Sequence, residues 1–332
     1  MAGIVDEIWG VIGRPLSRQR QIDVRSFAHF LDNLVDALAH PISYVAERET
    51  ISQIEFSMSR MAGKKIDGVP KIIHFVYLSE ETYNFPYYAL VALKSAAYHN
   101  PGWTLLFHYH REPQGEHWNA AKKIVRLNQI PFFCRYGLAK LSHNAHRADI
   151  VRLLALKHIG GAYLDLDTLT VKSFEDLRQA QFVMAAQAEP GGGRGGLCNA
   201  AMLAAPGSRF VKKWLRHYCY FHSQGRDYLW DFHSVKLPEM LARKSPDSIQ
   251  VLDENVFFYP LWTDLHRILL AEDSAPYMKS LERSYLFHLW NGQQEVLITR
   301  ISEEFVQTSA AAYAQFARPS LMQTTPSPDI PT

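Results

Sequence analysis

Two carboxylates separated by one residue, Asp165 and Asp167, close the run Gly160-Gly161-Ala162-Tyr163-Leu164-Asp165-Leu166-Asp167. Side chains two apart on a strand project to the same face, so a regular strand over residues 162–167 turns both carboxylates the same way. Side by side at the end of a buried strand they repel, and each is costly to desolvate. A divalent cation relieves both problems. Mg2+ or Mn2+ is commonly held by one or two carboxylates, with diphosphate oxygens and waters completing the shell. Just upstream, Asp149 and Arg152 are three apart in a helical run and so share one face. The chemistry implied is metal-assisted handling of a phosphorylated ligand at the carboxyl end of a strand, where open α/β sheets place their ligands.

Asp-x-Asp alone is weak evidence, because a surface turn accounts for most occurrences. A dehalogenase-type phosphatase also ends an apolar strand in this way, but its motif continues Asp-x-Asp-x-Thr. Here Thr168 follows Asp167 directly and Leu169 occupies the required position.

The elements that must carry these residues can be read from periodicity. Residues 71–78 (KIIHFVYL) form a short apolar, β-branched run, the mark of a buried strand. Residues 85–99 read as a helix stopped by Asn100-Pro101-Gly102, residues 103–109 as a strand, and residues 118–128 as a second helix. Residues 142–159 are the clearest helix, capped by Ser142 or Asn144 and ended by Gly160-Gly161. Further strands are expected near 182–185, 200–204, 249–252 and 285–289. Alternating strands and helices predict a mostly parallel sheet with helices on both faces. The stretch Gly191-Gly192-Gly193-Arg194-Gly195-Gly196 reads as a flexible loop and lacks the residues of a phosphate-binding loop.

Residues 1–66 read as a helical extension. Phe27, Phe30, Leu31, Leu34, Val35 and Leu38 recur at helical spacing, with Pro15 and Pro41 bracketing them. The expected role is a brace on the main domain, the alternative an acceptor- or membrane-surface module. Residues 67–305 form the main domain, and 306–332 a disordered C-terminal tail rich in Ala, Ser, Thr and Pro.

With 332 residues and 47% apolar content the chain can bury a sizeable core. A net charge of +2 excludes a nucleic-acid binder driven by a basic field. Three cysteines, Cys134, Cys198 and Cys219, without Cys-x-x-Cys spacing, argue against a disulfide framework or structural zinc and for a reducing compartment. Neither a secretory signal nor an apolar transmembrane run is present, which leaves peripheral membrane contact open.

The run from Ala148-Asp149 through Arg152 to Asp167 resembles the DXD-motif sugar transferases, whose pattern is roughly A-x-x-S-D-x-x-R, a hydrophobic helix, then G-G-x-Y-x-D-x-D. That family includes α-1,4-galactosyltransferases, initiating α-mannosyltransferases and, more distantly, clostridial glucosylating toxins. Val69-Pro70-Lys71-Ile72-Ile73-His74-Phe75-Val76-Tyr77 is similar to its opening strand, Asn100-Pro101-Gly102-Trp103 to its N-P-x-[YW] turn, and His288-Leu289-Trp290 to its closing H-x-W segment. The resemblance spans about residues 68–295.

The resemblance implies a GT-A-like, Rossmann-type mixed sheet flanked by helices. It also implies transfer, with retention, of a hexose from a nucleotide-sugar to an acceptor hydroxyl, assisted by Mn2+ or Mg2+. UDP-hexose is the favoured donor and GDP-mannose the alternative; the acceptor is a glycan, glycolipid or protein. Carried over, Asp167 and Asp165 ligate the metal with His288. Asp149 and Arg152 hold the donor, His74, Phe75 and Tyr77 line the base pocket, Asn199 positions the donor, and Trp290 closes over the diphosphate. Asp165, Asp167 and Arg152 form the catalytic set. Ala148 stands where the family has Ser, which removes a polar contact. The family's later Gly-Pro segment has no counterpart; Tyr228-Leu229-Trp230-Asp231-Phe232-His233 occupies that region, with Asp231 and His233 as acceptor-side candidates. A cytoplasmic enzyme of bacterial surface-polysaccharide or glycolipid assembly is expected. The alternatives are an effector that glycosylates a host protein and an inactive nucleotide-sugar-binding protein.

Overall fold

The computed structural model describes Leu31, Val35, Asp36 and residues 39–63, 66–218 and 230–322. Phe27, Phe30, Leu34, Leu38, Cys219, Tyr228, Leu229 and the last ten residues lie outside the described set.

The strands are β1 (Ile72–Tyr77), β2 (Thr104–Tyr109), β3 (Arg126–Gln129), β4 (Arg135–Tyr136), β5 (Ala139–Lys140), β6 (Gly161–Leu164), β7 (Thr168–Thr170), β8 (Phe182–Ala188), β9 (Arg194–Ala204), β10 (Gln250–Leu252) and β11 (Leu286–His288). Seven of them form one sheet in the order β10-β8-β9-β6-β1-β2-β3. Within it β9 alone runs antiparallel, to both β6 and β8. The expected mixed sheet flanked by helices is therefore present.

Alternation along each strand divides the core in two. Ile73 and Phe75 of β1 pack on one face with Leu105 and Phe107 of β2. That face is covered by α2 (Tyr87–His99). Val76, Leu106, Tyr163 and Met202 pack on the other face. There the cover is α1 (Pro41–Met61), α4 (Asn144–His158), α5 (Arg209–His217) and α6 (Leu237–Lys244). Ile54 and Met58 of α1 are fully buried, so the described part of the N-terminal extension is docked on this face.

Several expectations need correction. The helix expected over residues 118–128 is only α3 (Glu116–Ala121), and the chain then extends into β3. The backbone groups along the outer edge of β2 need partners, and β3 supplies them in parallel register despite its polar sequence. Helix α4 has neither a Ser142 nor an Asn144 cap. His143 holds the cap position without a side-chain bond, and Asn144 Oδ1 instead accepts from the Arg147 guanidinium. The glycine-rich stretch is a tight turn only to Gly193; Arg194, Gly195 and Gly196 already belong to β9. The expected tail beyond 306 is structured as far as Met322. It forms α8 (Glu303–Thr308) and α9 (Ala312–Met322), with Tyr313 fully buried. The alanines read as low-complexity tail are strong helix formers, and their small side chains let α9 pack closely on α2.

The turn between α4 and β6 depends on Gly160 and Gly161, with φ of 72° and 115°. A Cβ on Gly161 would lie 2.5 Å from the carbonyl oxygen of Ile72, and one on Gly160 2.7 Å from Pro206 Cδ. Only glycine fits there.

Candidate active site

Strand β6 ends at Leu164, three residues before Asp167. The two carboxylates therefore share a face through a turn and not through strand alternation. The turn is held by the Asp165 N–H, which donates to Ala200 O at 2.8 Å, and by Thr168 Oγ1, which donates to Asp165 O at 2.7 Å. It leads into β7, which pairs antiparallel with β11 so that Thr168 faces His288. This ribbon brings His288 to Asp167, with Nε2 3.3 Å from Oδ2. Metal-ligating atoms of Asp165, Asp167 and His288 lie within 4.8 Å of one another.

A cleft of about 430 Å3 opens over this cluster, a size ordinary for a small-molecule site. Tyr77, Tyr88 and Trp290 border it with the carboxylates, and Arg152 and Trp230 lie on its wall. Arg152 is the hub behind Asp165. Its Nη1 is 3.1 Å from Asp165 Oδ1 and donates to Asn199 O at 2.9 Å. Its Nη2 is 3.5 Å from Asp149 Oδ1, and its guanidinium lies 4.4 Å over the Tyr163 ring. Tyr163 also donates its hydroxyl to Asp165 Oδ1.

The two carboxylates are tuned apart. Burial raises the pKa of Asp165, and Arg152 offsets this only in part. Burial also works against ionisation of Asp167, but the His288 imidazole and the Asn291 N–H outweigh it and hold the carboxyl below its usual range. The Asn291 N–H donates to Asp167 Oδ2 at 2.7 Å from the first turn of α7 (Asn291–Ile298). His288 moves the opposite way: burial opposes its charge, yet Asp167 and Asp165 prevail and raise its pKa. Asp149 is almost wholly buried, and burial pushes it up to about 6 against the pull of Arg152 and Asn199.

The residues present suit a divalent cation. Two carboxylates and one imidazole converge, and among the described residues His288 Nδ1 is a buried ring nitrogen with no hydrogen-bond partner.

Trp290 has the left-handed backbone φ 58°, ψ 49°, uncommon for a bulky residue. Its Nε1–H donates to Pro260 O at 3.0 Å, and its ring packs tilted against His288, with centroids 4.3 Å apart, and edge-on to Trp262 at 5.1 Å. Such conformations persist where surrounding contacts over-determine them. Here the twist turns the following Asn291 N–H onto Asp167.

Four expected donor contacts lie elsewhere. His74 is fully buried and does not face the cleft. Its Nε2–H reaches Gly160 O at 2.7 Å, its Nδ1 is 2.9 Å from His108 Nε2, and Asn128 Nδ2 is 2.8 Å from His108 Nδ1. One neutral tautomer of each ring satisfies the whole chain of bonds, in keeping with a His74 pKa lowered to about 4 by burial. Phe75, the next residue along the strand, points into the opposite face and is core. Asp149 and Asn199 stand behind Arg152, where Asn199 Nδ2 donates to Asp149 Oδ1 at 2.7 Å. They orient the arginine and do not border the cleft. Of the acceptor-side candidates, His233 is buried, its carbonyl accepting from Trp214 Nε1 at 2.9 Å, and the Asp231 carbonyl accepts from Val235 N. Their neighbour Trp230 is the one on the cleft wall. Sequence reasoning missed Trp230 and Tyr88; Trp230 sits in the aromatic run Tyr228-Leu229-Trp230-Asp231-Phe232, where no local signal sets it apart.

Residues 86–183 match the model of the glycosyltransferase sugar-binding region containing a DXD motif. The chain is 32% identical over 267 residues to glucan organizing enzyme 1 of Cryptococcus neoformans, covering 76% of this chain and 70% of that protein. Among solved structures it aligns with the PaToxG glycosyltransferase at 16% identity, over 84% of this chain and 98% of that one, with a TM-score of 0.38. It aligns with the glycosyltransferase GlyE of Streptococcus pneumoniae at 14% identity, over 77% and 61%, with a TM-score of 0.41. The aligned family region holds Asp149, Arg152, Asp165 and Asp167 together, and the chain belongs to the glycosyltransferases with a DXD-containing sugar-binding region.

Proposed function

We propose that the protein is a metal-dependent, retaining hexosyltransferase that takes its sugar from a nucleoside diphosphate donor, UDP-linked in preference to GDP-linked, and delivers it to a glycan hydroxyl. The observation that carries this reading is the convergence of Asp165, Asp167 and His288 at one cleft, with Arg152 directly behind. Bound there, a divalent cation supplies positive charge to the departing diphosphate. The chain's own residues do the rest. Asp167 is kept ionised by His288 and the Asn291 N–H, ready to ligate. Arg152 holds Asp165 in place and lends the cleft wall a permanent positive charge. The Tyr77 and Tyr88 rings border the cavity where a base or sugar can pack.

Retention is supported by the family resemblance and by the distribution of acids. Among the cleft-lining residues the carboxylates are Asp165 and Asp167, and both are committed to the cluster. An inverting enzyme needs a further carboxylate as base. The glycan acceptor is supported by the name of the fungal relative, glucan organizing enzyme 1, which favours polysaccharide over protein modification. Free Cys134 and Cys198 fit a reducing, cytoplasmic setting, and no helix among the described residues is long and apolar enough to cross a membrane. We read residues 67–322 as one catalytic unit with α1 as its brace.

The test is nucleoside diphosphate release from a panel of UDP- and GDP-sugars with Mn2+, Mg2+ or chelator, followed by NMR assignment of the product anomer. Release that depends on the cation and on one donor is expected. Turnover unaffected by chelator sinks the metal assignment, and an inverted anomer sinks retention.

A further inference from the structure

We propose that Trp230 is the platform of an acceptor subsite for a pyranose ring, which rests on the transferase reading above and specifies its second substrate. Large apolar side chains exposed at the surface are informative when they border a site. Of those among the described residues, Trp230 alone lines the cleft that holds Asp165 and Asp167. It is 41% exposed. The indole is also braced from behind. The His146 ring lies 4.5 Å away and the His143 ring 5.0 Å away, both inclined to it, and His146 Nε2 is 3.4 Å from the Trp230 carbonyl oxygen. Both histidines belong to the start of α4, the helix that also carries Arg152. Ala145, between them, borders the cleft and keeps the space beside the indole open.

A rigid, pre-placed aromatic face costs little entropy on binding. What it recognises follows from its setting. A pyranose offers an apolar C–H face to an indole and hydroxyls at its rim. Here the cleft that the platform borders is polar, with Arg152, Asp165 and Asp167 among its lining residues. A lipid chain offers no hydrogen-bonding group to the carboxylates and guanidinium that line this cleft and would displace their water without replacing it, whereas the hydroxyls of a pyranose replace it. The carboxylate cluster serves the donor, and Trp230 presents the acceptor hydroxyl to it.

The test uses the full chain with UDP and Mn2+ as the donor-side probe and the p-nitrophenyl pyranosides of glucose, galactose and mannose as acceptor-side probes. Saturation-transfer NMR reads pyranoside binding, and calorimetry reads UDP binding. At least one pyranoside is expected to bind with its C–H face saturated most strongly. Its affinity should fall roughly 30-fold in Trp230→Ala, the scale of a truncated aromatic anchor, and recover largely in Trp230→Phe. Circular dichroism of Trp230→Ala reports whether the variant folds, and Trp230→Leu, which keeps an apolar side chain without the aromatic face and should lose affinity to a similar extent, carries the test if it does not. Pyranoside affinity unchanged in whichever of these two variants folds overturns the proposal, as does the failure of every pyranoside to bind, with or without binding of a peptide or lipid probe. If UDP with Mn2+ does not bind while pyranosides do, the transferase reading falls and the subsite stands.

Discussion

Histidine appears at both ends of β6 under opposite conditions. At the start of the strand, His74 is buried among uncharged partners, bonded to the Gly160 carbonyl and to His108. At its end, His288 is also buried but borders the cleft and lies against Asp167. Burial drives the first pKa down to about 4. At the second, two carboxylates outweigh burial and drive it up. Burial of a titratable group therefore does not mark the site. Charged partners and an adjoining cleft do: the neutral end of β6 is a structural clasp, and the charged end can do chemistry.

The largest effect expected from this contrast is on turnover. Asp167→Asn keeps the shape of the side chain and its acceptor for the Asn291 N–H but removes the charge. Turnover should fall about 10³-fold, the scale of losing one electrostatic element of a reaction centre, while the thermal midpoint barely moves. Steady-state rates and a melting curve decide it. A variant that keeps most of its activity would show that the charged end is no more than a second clasp.

The clasp itself should appear in the pH dependence of stability. A histidine at about 4 in the folded chain and about 6.5 when unfolded binds its proton more readily in the unfolded state. Its contribution to stability is complete above pH 6.5 and is lost as pH falls toward 4, by roughly 3 kcal/mol if the shift is fully expressed. Denaturant titrations between those limits should show the loss in the native chain and a smaller slope in His74→Gln. Equal slopes would mean that His108 or another group carries the dependence.

The charged end was legible in the sequence where the chain is local. Asp149, Arg152, Asp165 and Asp167 fall within nineteen residues, and helix spacing pairs Asp149 with Arg152 as expected, but the turn after β6 and not strand alternation sets Asp165 beside Asp167. His288 is 121 residues beyond Asp167, and only its resemblance to the H-x-W motif placed it there; the structural cause is the β7–β11 ribbon. The neutral end was misread. His74 sits one residue from others that pack on the opposite face, and sequence cannot tell a base-pocket histidine from one paired with His108. That pairing depends on the register of β1 with β2 and on Asn128, in a strand read as helix. Backbone partnership along the β2 edge outweighed local propensity there. Trp230 was passed over for its polar neighbours because nothing local distinguishes a cleft wall from a turn.

A sharper form of the comparison exchanges the two histidines' fates. His288→Ala should weaken Mn2+ binding by about tenfold or more with a modest stability loss. His74→Ala should leave Mn2+ binding unchanged and destabilise the fold by about 2 kcal/mol, because Gly160 O and His108 lose their partner. Calorimetric Mn2+ titration beside chemical denaturation separates the two. Equal metal affinities across both variants would remove His288 from the ligand set.

The smallest effect belongs to α1, outside both ends. Glu55 is held at about 2, first by its bond to His158 and, against the opposing effect of burial, by Lys157 as well. The folded-state pKa is depressed, so its contribution is present above the ordinary carboxylate range and is lost as pH falls from about 4.5 toward 2. The group is partly exposed, and such pairs contribute about 1 kcal/mol or less. Glu55→Gln should lower the thermal midpoint by about 2 °C at neutral pH and speed hydrogen exchange around Ile54 and Met58, with donor turnover unchanged. The reason lies in connectivity: Glu55 grips Lys157 and His158 at the end of α4 that feeds the Gly160 turn, whereas Arg152 lies more than a turn earlier on the same helix. Loosening the brace therefore acts first on the neutral end of β6. A fall in turnover without a fall in stability would mean that the two ends are mechanically coupled through α4, and that the clasp takes part in setting the carboxylates.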